Sequence, residues 1–205
     1  ELVRVKTNLP GQFSVYNALA AISCARLLGV SLADAAAALE TAHGAKGRVE
    51  PVPTDGDYSI FIDYAVTPDA IENVLTTLRG IAPKRLVMLF GAGGDRDRKK
   101  RPIMGKLSAD IADFVIVTSD NPRTEDPMSI IEEILPGVRA GKAPYKVICD
   151  RPEAIRWAID HHEPGDVILL CGKGHEDYQI IGHEKIHMDE REIVADYLAE
   201  RAKRT

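Results

Sequence analysis

The stretch TSDNPRTEDP brings Asp120, Asn121, Pro122 and Arg123 to the point where an apolar run, DFVIV, gives way to a helical pattern, MSIIEEIL. Three other apolar runs end in the same manner. Asp63 and Tyr64 close YSIFIDY; GAGG, Asp95 and Arg96 follow RLVMLF; and GKGHED, with Lys173, His175 and Glu176, follows DVILLC. Arg96 and Arg123 carry planar forks suited to carboxylate or phosphate, whereas Asp120 and Glu176 suit an ammonium. A site holding both signs fits a zwitterion such as an amino acid. Pro122 helps to fix the turn and keeps Asn121 extended. The competing reading is that these charges cap helices and pair with one another on the rim. At any single residue the two readings are evenly matched; across four strand ends, convergence on one ligand is the better account.

Other patterns carry less. GAGGDRDRKKRP is not G-x-G-x-x-G, because Arg96 stands where the last Gly belongs, and the Gly-Lys pairs at Gly105, Gly141 and Gly172 lack the Ser or Thr of a P-loop. The run Arg98–Arg101 faces either an anionic substrate or solvent at a helix start. HEKIH, His183 to His187, matches the zinc pattern H-E-x-x-H, but chelation needs a helix; on a strand the two rings lie about 13 Å apart. Gly182 and the flanking YQII favour a hairpin, so no metal site is expected. His161 and His162 end a helix and are expected in solvent. Cys24, Cys149 and Cys171 sit far apart in apolar contexts and read as small core residues of a reducing compartment.

The elements that must position these residues follow from periodicity. FSVYNALAAISCARLLGV has helical apolar spacing up to Gly29, and Ser31 with Asp34 caps a second helix, LADAAAALETAH. From Gly47 onward strands and helices alternate. YSIFIDYA, RLVMLF, DFVIVTS, YKVICD and DVILLCG read as strands. PDAIENVLTTLRGIA, a segment ending at Ala112, a segment from Pro127 disturbed by Pro136, and PEAIRWAIDHH read as helices. YQIIGHEKIHM reads as a hairpin and DEREIVADYLAERAKR as a last helix. Continuous Val/Ile/Leu strands each followed by a helix predict an α/β, Rossmann-like, mainly parallel sheet with helices on both faces. Its ligand crevice is expected beyond the carboxyl ends of the strands.

With 205 residues the chain can bury a sizeable core. Its net charge of -5 argues against a nucleic-acid partner. No apolar run reaches membrane-spanning length, so no membrane partner is expected, and cytoplasm and a monomer are the default expectations. The abrupt start, ELVRVKTNLPGQF, reads as a cut from a longer chain.

DNPRTEDP, GAGGDRDRKKRP, GKGHEDYQI and DYAVTPDA together resemble the Mur ligase family, over nearly the whole length from LPGQFSVYNALAA to the last helix. DNPR is the specific part, typical of members that add diaminopimelate. The resemblance implies that residues 1–46 are the C-terminal end of a central ATP-binding domain, that 47–205 are the amino-acid-binding domain, and that GRVEPV is the junction. It implies diaminopimelate binding by Arg96, Asp120, Asn121, Pro122, Arg123, Gly172 and Glu176, with Arg123 on the distal carboxylate and Glu176 on the ammonium. Asn17, Arg48 and Asp63 would lie towards the nucleotide. The implied reaction is ATP- and Mg2+-dependent amide formation through an acyl phosphate, adding meso-diaminopimelate to a UDP-N-acetylmuramoyl dipeptide in peptidoglycan synthesis. P-loop and catalytic groups would belong to missing domains, so the fragment is expected to be inactive alone. Two positions depart from the family: Val66 replaces the His of DYAH, and Ser14 replaces the Asn of FNVYN. A related Mur or folylpolyglutamate-type ligase with another amino acid, and a non-catalytic amino-acid-binding module, are the rival readings.

Overall fold

A computed structural model describes residues 2–82 and 84–204. The chain divides into two compact units, residues 1–45 and 46–205. The first holds α1 (Gln12–Leu27) and α2 (Leu32–Glu40). Ser31 caps α2, accepting a hydrogen bond from the Asp34 N–H at 3.0 Å, as the S-x-x-D spacing predicts. Much of the apolar surface of α1 is uncovered: Val15, Tyr16 and Leu19 are exposed.

The second unit contains β1 (Glu50–Val52), β2 (Tyr58–Asp63), α3 (Pro68–Arg79), β3 (Leu86–Phe90), α4 (Lys100–Ile111), β4 (Phe114–Val117), α5 (Pro127–Ala140), β5 (Tyr145–Val147), α6 (Arg151–Asp160), β6 (Asp166–Cys171), β7 (Tyr178–Ile181), β8 (Glu184–His187) and α7 (Glu190–Ala202). Six strands form one sheet in the order β1-β2-β6-β3-β4-β5, parallel except for β1; β7 and β8 form a separate antiparallel hairpin. The steps from β2 to β3, β4 and β5 run in one direction, and the return from β5 to β6 runs in the other. Right-handed crossovers therefore put α3, α4 and α5 on one face and α6 on the opposite face, where α7 joins it.

The period of two along each strand divides the core between the faces. Leu86, Met88, Phe90, Leu169 and Cys171 pack with the α3–α5 side, whereas Val87, Leu89, Ile168 and Leu170 pack with α6 and α7. All five residues of β3 are buried. Burying each large aliphatic side chain of this kind stabilises the fold by about 1.5–3 kcal/mol.

Several sequence expectations need correction. Pro136 does not disturb the end of α5, which continues to Ala140. Here α4 and α5 touch backbone to backbone: a Cβ on Gly137 would lie 1.8 Å from the Pro102 carbonyl, and one on Gly105 would lie 2.5 Å from that of Ile134. That packing outweighs the one hydrogen bond Pro removes. Glu50–Val52, expected as a junction, is an antiparallel edge strand. Cys24 is exposed and Cys149 only partly buried, leaving Cys171 as the core thiol. His162 is not free in solvent but stacks on Tyr58 with ring centroids 3.9 Å apart. His183 and His187 lie in the turn and at the end of the β7–β8 hairpin, as the Gly182 signal predicts. No helix among the described residues is long and apolar enough to cross a membrane.

Candidate functional site

The loops after β3 and β4 are built against each other. Gly94 N–H donates to the Asn121 carbonyl at 2.9 Å, and a Cβ on Gly94 would sit 1.8 Å from the Pro122 carbonyl oxygen. Gly91 is as restricted, with 2.3 Å from a would-be Cβ to Thr118 O. The glycines of GAGG thus allow two loops to touch, a use of glycine distinct from cradling a phosphate. Asp95 completes the seam, accepting from the Thr124 hydroxyl at 2.7 Å while its own N–H donates to Glu125 at 2.6 Å.

Arg101 anchors that seam from beneath. The sequence offered it as solvated or substrate-facing; it is neither. Its side chain is fully buried, paired with Glu125 and Glu133 and donating to the Gly93 carbonyl at 3.2 Å. Arg98, exposed, pairs with Glu133.

Arg123 occupies a left-handed conformation, φ 52°. Its N–H donates to Ile180 O at 3.0 Å and its carbonyl accepts from Gly182 N–H at 2.7 Å, so the β7–β8 hairpin holds the turn from its other side. The half-buried guanidinium donates through Nη1 to Gly94 O at 2.8 Å. That nitrogen lies 2.9 Å, and Arg96 Cγ 3.6 Å, from the position of a Cβ on Gly93, so both arginine side chains border one glycine. Arg96 itself is exposed.

Asn121 links this cationic side to Glu176. Its Nδ2 donates to Glu176 Oε2 at 2.9 Å, and its Oδ1 accepts from Lys173 Nζ at 2.8 Å and from Ile180 N–H at 2.9 Å. Burial pushes the Glu176 carboxyl up, but hydrogen bonds from Lys173 and Asn121 reverse this and hold it below the ordinary carboxylate range. Pro122 is buried within the turn. Asp120 is buried too; its Oδ1 accepts from Asn121 N–H at 2.6 Å, whereas Oδ2 has no partner among the described residues and lies beside Gly172, 2.7 Å from where a Cβ would be. Gly172, at φ 112°, donates to Asp63 O at 2.9 Å.

The residues expected towards a nucleotide are more dispersed. Asp63 is buried, accepts from Val49 N–H at 2.9 Å, and is pushed up by burial. Arg48 is exposed, its guanidinium 5.2 Å from the Tyr64 ring, and Tyr64 lies 5.0 Å from the His175 ring. Asn17 belongs to the first unit, where it is exposed on α1. Val66, at the first departure from the family pattern, accepts from Lys100 Nζ through its carbonyl; Ser14, at the second, is buried and donates to Pro10 O at 2.7 Å.

The sequence reading foresaw burial for none of three cations that the fold encloses completely, Arg101, Arg151 and Lys173. Arg151 pairs with Glu190, both fully buried, and donates to the carbonyls of Ser119 and Cys171 at 3.3 and 2.8 Å, tying together the ends of β4 and β6. The acidic partners of Arg101 and Arg151 lie far away in the chain, so no local spacing signals them; Lys173 pairs with Glu176 three residues on and with the distant Asn121.

Comparison with known proteins agrees with this architecture. Residues 47–174 match the family described as Mur ligase, glutamate ligase domain. The chain is 52% identical over 199 residues to the UDP-N-acetylmuramoyl-L-alanyl-D-glutamate--2,6-diaminopimelate ligase of Caldanaerobacter subterraneus subsp. tengcongensis, covering 97% of this chain and 41% of that protein. It is 49% identical over 203 residues to the ligase of the same name from Trichormus variabilis, covering 98% and 41%. A solved structure of a UDP-N-acetylmuramoyl-L-alanyl-D-glutamate--2,6-diaminopimelate ligase superposes with TM-score 0.75 at 38% identity, covering 97% of this chain and 40% of that one. The UDP-N-acetylmuramate-alanine ligase of Thermotoga maritima superposes with TM-score 0.70 at 25% identity, covering 99% and 40%. The chain thus spans about two fifths of the length of these relatives. A match over most of the sheet, with relatives near half identity along almost all of its length, makes this chain a member of the Mur ligase family.

Proposed function

We propose that this chain is the C-terminal part of an ATP-dependent ligase that joins meso-diaminopimelate to UDP-N-acetylmuramoyl-L-alanyl-D-glutamate in peptidoglycan synthesis. Residues 47–205 are its amino-acid-binding domain, and 1–46 end the central ATP-binding domain. The observation that carries the reading is the double connection of the Asp120–Arg123 turn. Through Asn121 it bonds to Glu176 at 2.9 Å, and its own guanidinium borders Gly93 together with Arg96. One turn thereby serves an anion and two cations, which suits a ligand with an amino-acid group at each end.

In this reading Arg123, assisted by Arg96, takes the distal carboxylate, and Glu176, with Asp120 and Gly172 alongside, takes the distal ammonium. The free amine is left to attack an activated carboxyl. ATP and Mg2+ would supply that activation by phosphorylating the glutamate carboxylate, and they belong with the part of the parent outside this chain. Arg48, exposed above Tyr64, fits the edge of an anionic nucleotide, with Asp63 as a further candidate neighbour. The cytoplasm is the compartment proposed, in keeping with three free cysteines.

Selectivity follows from the chemistry. Lysine lacks the second carboxylate and leaves Arg123 without its anionic partner. Arg123 is half-buried and keeps its carbonyl bond to Gly94, so the expected preference lies below the largest hydrogen-bond discriminations, at about 10³-fold in kcat/KM. In the full-length ligase, Arg123→Ala should reduce that preference to about tenfold or less. Equal use of lysine and diaminopimelate by the unaltered enzyme, or an undiminished preference in the variant, sinks the proposal.

A further inference from the structure

Lys173 is a charged side chain with no exposure to solvent. It sits between two glycines in left-handed conformations, Gly172 at φ 112° and Gly174 at φ 53°. A Cβ on Gly174 would meet Tyr64 Cβ at 2.5 Å. The backbone of this loop is therefore committed to a path that L side chains at 172 and 174 would block, and that path turns Lys173 inward. Its Nζ donates to Asn121 Oδ1 at 2.8 Å and to Glu176 Oε2 at 2.7 Å, and its carbonyl accepts from Glu176 N–H at 3.0 Å.

We propose that Lys173 is a positioning residue of the amino-acid site: it fixes the orientation of the Asn121 amide and holds Glu176 as a carboxylate whose Oε1 receives the ammonium of the incoming amino acid. The inference rests on the site reading above and adds a residue to it.

Three observations support it. Asn121 Oδ1 faces two donors, Lys173 Nζ and Ile180 N–H, so a flipped amide would set an NH2 against both; Nδ2 must point at Glu176. Glu176 Oε2 is already filled by Lys173 and Asn121, whereas Oε1 has only the Tyr178 hydroxyl at 3.3 Å. Its second oxygen is thus the side left for a stronger donor. Finally, Lys173 neutralises Glu176, and Asp120, with Oδ2 buried and unpartnered beside Gly172, supplies the further anion that an arriving ammonium requires.

Removing the Lys173 charge leaves burial, which pushes a carboxyl up, opposed at Glu176 by the Asn121 and Tyr178 hydrogen bonds alone. The titratable and charged groups in contact with Glu176 are Lys173 and Tyr178, both on its own segment; Lys185 stands over the Tyr178 ring, with Tyr64 and Arg123 near it. None of these other groups replaces the direct contact from Nζ.

The test uses the full-length ligase containing this chain, with steady-state kinetics against meso-diaminopimelate from pH 5.5 to 9. Lys173→Met should raise KM for diaminopimelate about 30-fold while KM for ATP stays within about twofold. It should also introduce an acid limb in kcat/KM that the unaltered enzyme lacks. Lys173→Gln restores a donor without charge; it should lie between the two in KM and keep the acid limb, and it carries the test if the Met variant does not fold. In the unaltered enzyme, diaminopimelate affinity should be flat from pH 7.5 to 5.5, and a tenfold weakening there overturns the proposal. So do Lys173 variants with normal KM and no acid limb, or with equal losses towards all substrates. Glu176→Gln separates the two levels: a raised KM in that variant beside silent Lys173 variants removes only the role of Lys173, whereas an unchanged KM removes the site reading itself.

Discussion

Gly94→Ala probes the contact on which the cationic side of the site depends. A Cβ there would lie 1.8 Å from Pro122 O, whereas ordinary contact begins at 3.4 Å, so the loops after β3 and β4 must part or strain. Parting them breaks the 2.9 Å bond from Gly94 to Asn121 and the 2.8 Å bond from the Arg123 guanidinium to Gly94. The first contributes about 1 kcal/mol and the charged one about 1.5–3 kcal/mol. Keeping them together instead costs about 1–3 kcal/mol of overpacking. The protein adopts the cheaper of the two, and the stiffer unfolded chain returns about 0.4–1 kcal/mol. A net loss of about 1–2 kcal/mol is expected. Urea unfolding of the 205-residue chain measures it, and Trp157, its single tryptophan, stacks on His161 and beside Phe114 and so reports on the second unit. Gly182→Ala is the control: at φ 61° with nothing within 4 Å, it should lose about 1 kcal/mol from backbone strain alone and leave Arg123 in place. In the full-length ligase proposed above, only the Gly94 variant should raise KM for diaminopimelate. A Gly94→Ala chain as stable as the unaltered one, with unchanged KM, refutes the packed seam.

Two further outcomes follow from buried charge. Arg151→Met leaves the fully buried Glu190 uncompensated and should cost about 3–5 kcal/mol in urea unfolding, whereas Arg151→Met with Glu190→Leu should recover most of that loss; additive losses would refute the pairing. The Arg101 guanidinium beside Glu125 holds its carboxyl down at about 2, from an ordinary 4.5. The folded value is the lower one, so this stabilisation is complete above pH 4.5 and disappears as pH falls towards 2. Thermal melts between pH 5 and 2.5 should therefore fall less steeply for Glu125→Gln than for the unaltered chain, and equal slopes would count against the contact.

The order of strands and helices, the cap at Ser31, and the delivery of polar residues at strand ends were legible in the chain itself, because apolar period and capping act over a few residues. The insertion of β6 between β2 and β3, the edge strand β1 and the passage of α5 through Pro136 were not, since each is decided by what packs alongside. The same division runs through the candidate site. Asp120 to Arg123 and Glu176 announce themselves by type and place, but a lysine or arginine in a sequence reads as solvated. Arg101 and Arg151 become interior groups because Glu125 and Glu190, 24 and 39 residues away, close around them, and Lys173 because Asn121, 52 residues away, joins the nearby Glu176 in receiving its ammonium. A charge is tolerated inside a protein when folding brings it partners, and that pairing exists only in three dimensions.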